Sequence, residues 1–147
     1  MDLFSVSSDS LFTFSSQQNA TKQNLALRAL NTGLEQFSAK QYELAITSFK
    51  RAIGMAPTAD SALNAYDYMA RAQLTQGDTD AAIATYTKAL RIAPNRDDLH
   101  VQLGKIFTTL DRNDEASEQY ELAVKYNPNA ANRYALGQGY LGAGRLP

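Results

Sequence analysis

Three short patterns in this 147-residue sequence have the residue types and spacing of chemical sites. Gly137-x-Gly139-x-x-Gly142 spells the glycine pattern that lets backbone approach a dinucleotide pyrophosphate, which requires a strand before it and a helix after it. His100, the one histidine, follows Asp97 and Asp98, types that serve as metal ligands or as an acid–base pair. Asn19-Ala20-Thr21 is a glycosylation acceptor if the chain is secreted from a eukaryotic cell. The glycines follow no strand pattern and fall in a helical one, where Leu136, Gly137 and Tyr140 have packing roles. The histidine after two acids reads as a helix start, where acidic residues are favoured. No nucleophile, base and orienting group can be assembled, so no catalytic residue, metal site or cofactor is expected.

The elements that would position any site are spelled by a recurring figure. Ala45, Phe49, Ala52, Pro57 recurs as Ala82, Tyr86, Ala89, Pro94 and as Ala116, Tyr120, Ala123, Pro128, with periods of 37 and 34 residues. A ring four residues after one alanine and three before the next shares one helical face with both. Small neighbours let a second helix approach, the ring fills the gap, and the proline cannot continue the helix. A further helix-length segment precedes each figure, at about residues 23–39, 61–76 and 97–110. The unit is helix, short turn, helix, proline.

These residues resemble the tetratricopeptide-repeat family. Leu103-Gly104, Phe107, Ala116, Tyr120, Ala123 and Pro128 match its pattern in order and spacing. Tyr66, Gly77, Ala82, Tyr86, Ala89, Leu90 and Pro94 match it again, as do Gly33, Phe37, Tyr42, Ala45, Phe49, Ala52 and Pro57, with Lys40 where a turn glycine is usual. Leu136-Gly137, Tyr140 and Gly144 open a fourth unit. The resemblance implies an all-α, right-handed helix-turn-helix solenoid of three full repeats (about 24–59, 60–96 and 97–129) and the first helix of a fourth (130–147).

Composition agrees. At 44% hydrophobic the chain can bury a continuous core, and no segment is long and apolar enough to cross a bilayer. With 14 basic and 15 acidic side chains there is no overall field to attract nucleic acid or an anionic membrane. Neither is expected as a partner. The absence of cysteine suits a cytosolic or a periplasmic home and leaves the compartment open, with the cytoplasm slightly favoured.

Residues 1–22 stand apart as a serine- and phenylalanine-rich arm without a helical period or the basic start of a secretory signal. Its aromatic content predicts a surface to lie on. Leu27, Leu30, Leu34 and Phe37 form one apolar stripe beside the small stripe Ala26, Ala29 and Gly33. The arm, through Phe4, Leu11, Phe12 or Phe14, is expected to cover Leu27, Leu30 and Phe37 in its own molecule or in a neighbour, the alternative being an ordinary N-terminal cap over the core.

The family resemblance implies that the first helix of each pair lines a concave groove that takes an extended peptide or a partner helix. The groove-facing residues are then Asn31 and Leu34; Asn64, Asp67, Tyr68 and Arg71; Asp98, Val101, Gln102 and Lys105; and Tyr134 and Gln138. Amides can pair with a peptide backbone and rings can cover its side chains. Chaperone-binding adaptors of the family grip a C-terminal carboxylate with lysine, arginine and asparagine. The corresponding positions here are Leu30 and Leu34, Tyr68, then Asp98 and Gln102, none of which matches, and a carboxylate needs positive charge or forked donors. The expected function is a non-catalytic protein-interaction module. The alternative is a self-assembling scaffold, a homo-oligomer joined through the arm and the open C-terminal end. Glycines between 137 and 144 weaken the last helix, which fits a chain cut from a longer array or an end covered by another copy.

Overall fold

The computed structural model describes residues 7–145, and every regular element among them is an α-helix. In order they are α1 (Ser8–Ser38), α2 (Tyr42–Met55), α3 (Asp60–Thr75), α4 (Thr79–Ile92), α5 (Asp97–Thr109), α6 (Asn113–Tyr126) and α7 (Ala130–Gly142). The chain divides into two units, Met1–Tyr68 and Met69–Pro147, with the boundary inside α3. In the first, α1 packs along α2; in the second, α5 packs along α6 and α7 packs on α6.

The helix ends follow directly from the sequence. After each odd-numbered helix one residue takes left-handed backbone: Lys40 (φ 60°), Gly77 (φ 82°), Asp111 (φ 56°) and Gly144 (φ 69°). Each position closes the helix in the same way. For example, Gln41 N–H donates to the Gln36 carbonyl at 2.8 Å and Arg145 N–H to the Tyr140 carbonyl at 2.8 Å, satisfying carbonyls the helix leaves open. The even-numbered helices stop for another reason. Ala56, Ala93 and Asn127 precede prolines, and their φ values of −143°, −133° and −147° lie outside the helical range, as steric conflict with the proline ring requires.

The repeated figure forms the core. Phe49 and Tyr86 are fully buried and Tyr120 is 5% exposed, while all six flanking alanines are fully buried. Gly33 and Gly104 are the seats for two of these rings. A Cβ on Gly33 would lie 2.5 Å from Phe49, and one on Gly104 would lie 2.6 Å from Tyr120. Burying each ring contributes roughly 2–3 kcal/mol. Side-chain hydrogen bonds repeat beside two of the rings: Ser48 Oγ donates to Gln36 Oε1 at 2.6 Å, and Thr85 Oγ1 to Gln73 Oε1 at 2.8 Å.

The arm departs from expectation. From Ser8 onward it is helical and continuous with the rest of α1, through residue 22 without a break. Ser7 caps this helix by accepting from Ser10 N–H at 3.2 Å, and Asp9 lies in the first turn, where a carboxylate is favoured. Every residue from Ser7 to Leu25 is exposed, so this stretch has no buried face to imprint a period on its sequence.

Candidate partner-binding surface

In the first unit, Asn31 and Asn64 are exposed and Leu34, Asp67 and Tyr68 are half-buried. Tyr68 joins an aromatic cluster that sequence spacing alone did not reveal. Its ring centre lies 5.6 Å from Phe37, edge to face, and 6.1 Å from Phe49, while Phe37 lies 5.4 Å from Tyr42. Such edge-to-face pairs are favourable beyond the area they bury, so the half-buried Tyr68 ties α3 to the rings of α1 and α2.

The stripe expected to receive the arm is not uniformly available. Leu30 is buried with Ala26 and Gly33, Phe37 is half-buried, and Leu27 remains 47% exposed. Leu11, Phe12 and Phe14 are 55%, 75% and 59% exposed and belong to the same unbroken helix as Leu27. A continuous helix cannot fold back upon itself, so these residues do not cover the stripe in their own molecule. Phe4 lies outside the described residues.

In the second unit, Arg71, Asp98, Lys105, Tyr134 and Gln138 are exposed and Val101 and Gln102 half-buried. Gln102 and Lys105 stand at a cavity of about 180 Å³ lined on its apolar side by Leu74, Ile106 and Leu110. A cation and an amide therefore border an apolar recess of side-chain size. Asp98 is engaged by Arg96, whose guanidinium donates two hydrogen bonds to it at 2.8 and 2.7 Å. These bonds hold the Asp98 carboxyl below its ordinary value against a smaller opposing effect of burial.

Of the chemical patterns of the sequence, His100 and two of the three glycines are packing positions, while the packing role expected of Gly137 is not seen among the described residues. His100 is 5% exposed, with Nε2 2.8 Å from the Pro94 carbonyl, Nδ1 2.8 Å from the Gln119 side-chain amide and its ring stacked on Tyr126. The three glycines of the dinucleotide-like pattern lie in α7. A Cβ on Gly139 would meet Tyr120 at 2.7 Å and one on Gly142 would meet Asn113 at 2.9 Å, so both permit close approach to α6. Asn19 lies exposed within α1. Among the described residues no group of three His, Cys, Asp or Glu side chains is placed to hold a metal, and no helix is long and apolar enough to cross a membrane.

One polar network escaped the sequence reading. Buried Asn132 donates from Nδ2 to Asp97 at 2.8 Å and to the Asn127 carbonyl at 2.8 Å, and Asn127 donates to the same Asp97 oxygen at 3.1 Å. Together they fasten the start of α7 to α5 and α6. Asparagines near a helix start read from sequence as caps, a role Asn129 does fill, accepting from Asn132 N–H at 2.8 Å. Nothing in the spacing distinguishes the buried one.

Sequence models described as tetratricopeptide repeat match residues 29–95 and 73–139. No curated protein matches. Solved structures do. The first such domain of Spaghetti (RPAP3) bound to an HSP90 peptide is 17% identical, with a TM-score of 0.71, covering 83% of this chain and 95% of that one. The TPR2B domain of yeast Sti1 in complex with a pHsp70 peptide is 22% identical, TM-score 0.67, covering 82% and 96%. The Yersinia enterocolitica secretion chaperone SycD in complex with a YopD peptide is 14% identical, TM-score 0.68, covering 79% and 92%. At these identities the likeness is one of fold.

Proposed function

The chain belongs to the tetratricopeptide-repeat family, and from that premise we propose that it is a non-catalytic protein-interaction module that takes an extended peptide or partner helix on its odd-numbered helices. The reading applies to each unit by itself. The observation that carries it is the recess beside Gln102 and Lys105, where apolar Leu74, Ile106 and Leu110 adjoin a cation. An apolar side chain with an acidic residue or a backbone carbonyl next to it suits that arrangement. The peptides seen on RPAP3, Sti1 and SycD support a peptide as the ligand class.

A free C-terminal carboxylate is a poor candidate for the key group. The positions that would grip it hold Leu30, Leu34, Tyr68, Asp98 and Gln102; Leu30 is buried and Asp98 already pairs with Arg96. The test is to retrieve partners from a native lysate with the wild-type chain and with an Arg71→Glu, Lys105→Glu double variant, then measure the recovered peptide by calorimetry. Loss of about tenfold or more in affinity is expected, since two cations at a binding face become repulsive. Equal binding by both proteins would remove this surface from consideration.

A further inference from the structure

The rings of the core sit on a repeated seat. Gly33 receives Phe49 and Gly104 receives Tyr120, and in both cases the ring is sixteen residues later in the chain. Gly137 occupies the same place in α7, preceded by Leu136 as Gly104 is by Leu103. Yet among the described residues a Cβ on Gly137 would meet nothing within 4 Å. On the same face, three residues before and four after, Tyr134 is 70% and Leu141 55% exposed. The other side of α7, with Asn132 and Gly139, is buried against α6. Among the described residues the helix therefore presents an apolar face built around a ring seat that no described side chain occupies.

We propose that this seat is filled by Phe12 from the exposed N-terminal stretch of α1 in a second copy of the chain. The stretch has the figure of a seated helix: Ser8, Phe12 and Ser15 repeat the small, aromatic, small spacing of Ala45, Phe49 and Ala52. Phe12 is 75% exposed, and no residue from Ser7 to Leu25 is buried. The neighbouring position differs in kind but is compatible. In two existing pairs the residue before the ring hydrogen-bonds the residue three after the seat, as Ser48 does Gln36 and Thr85 does Gln73. Here those positions are Leu11 and Tyr140, both able to pack as apolar groups. Charge agrees too: α7 carries Arg133 and no acid, while residues 8–21 carry Asp9 and no cation. The contact is heterologous, joining the front of one copy to the back of the next. It does not rest on the peptide-binding reading.

Sedimentation velocity of the full chain, from micromolar to about 1 mM, tests the proposal. Average mass should rise with concentration in the wild type, and Phe12→Ser and Gly137→Leu should each weaken association by about 30-fold or more. Phe12 is exposed and Gly137→Leu removes a helix-weakening glycine, so both variants should keep the wild-type circular dichroism. Each retains one intact half of the contact, so an equimolar mixture should form dimers and nothing larger. Gly54→Leu, another helical glycine with open space at its Cβ, should associate as wild type, as should the Arg71→Glu, Lys105→Glu variant. A wild type that stays monomeric, whether because its own chain or another protein fills the seat, overturns the proposal. So does a Phe12→Ser variant that associates normally, or a mixture that yields no dimer.

Discussion

Glycines at three equivalent places do opposite work. Gly104→Ala would drive a methyl group to 2.6 Å from the Tyr120 ring, so it should destabilise by about 1–3 kcal/mol despite the better helix propensity of alanine. Gly137→Ala meets no neighbour and should stabilise by about 0.5–1 kcal/mol, measured by urea unfolding at a concentration where the chain is monomeric. Lys40 and Asp111 hold the left-handed backbone that Gly77 holds at no steric cost. Lys40→Gly and Asp111→Gly should each stabilise by roughly 1 kcal/mol in the same assay. The Arg96–Asp98 pair is partly exposed and contributes no more than about 0.5 kcal/mol. Because the folded-state value of Asp98 is depressed, that contribution is present above the unfolded carboxyl's titration and disappears as pH falls through the folded one. Arg96→Ala should move the Asp98 midpoint upward in a carboxyl-detected NMR titration.

The elements were legible wherever a side chain had something to press against. Phe49, Tyr86 and Tyr120 announced their helices because small residues must flank a ring wedged between helices, and prolines 57, 94 and 128 announced where those helices stop. Lys40 stood out against the turn glycine expected there, and its backbone is left-handed all the same. The first four or so turns of α1, residues 8–22, were not legible. Serine, threonine and glutamine around Phe12 and Phe14 give a sequence with no apolar stripe, and the helix there rests on its Ser7 cap and its continuity with the packed part. In the monomer it should therefore open easily: at a concentration too low for self-association, amides of residues 11–22 should exchange with solvent far faster than those of 30–37, by roughly a hundredfold or more. Uniform protection along α1 of the monomer would show instead that the stretch is held by contacts within its own chain.

For the whole molecule, family membership gives a role and leaves its ligand to surface detail. The exposure of Asn31, Asn64, Arg71, Asp98, Lys105, Tyr134 and Gln138 follows from the implied orientation of the odd-numbered helices, because helical spacing dictates which residues share a face. Tyr68 and Leu30 could not be assigned correctly, since whether a residue at the edge of such a face is bare depends on the next helix, which a single sequence does not place. The same holds for Asn132 and Asp97, partners 35 residues apart.

The single imidazole gives the second unit a built-in signal. Pro94 offers only an acceptor, so Nε2 must carry the proton; Gln119 Oε1 lies 2.8 Å from Nδ1, and the same amide turned end for end, a reassignment that keeps its shape, places a donor there. Nitrogen-detected spectra of the unmodified protein should show the Nε2–H tautomer, its resonances shifted by the stacked Tyr126 ring. One pair of lines then reports on the turn before α5, on α5 and on α6 together, with no label to install and no second histidine to confuse the reading.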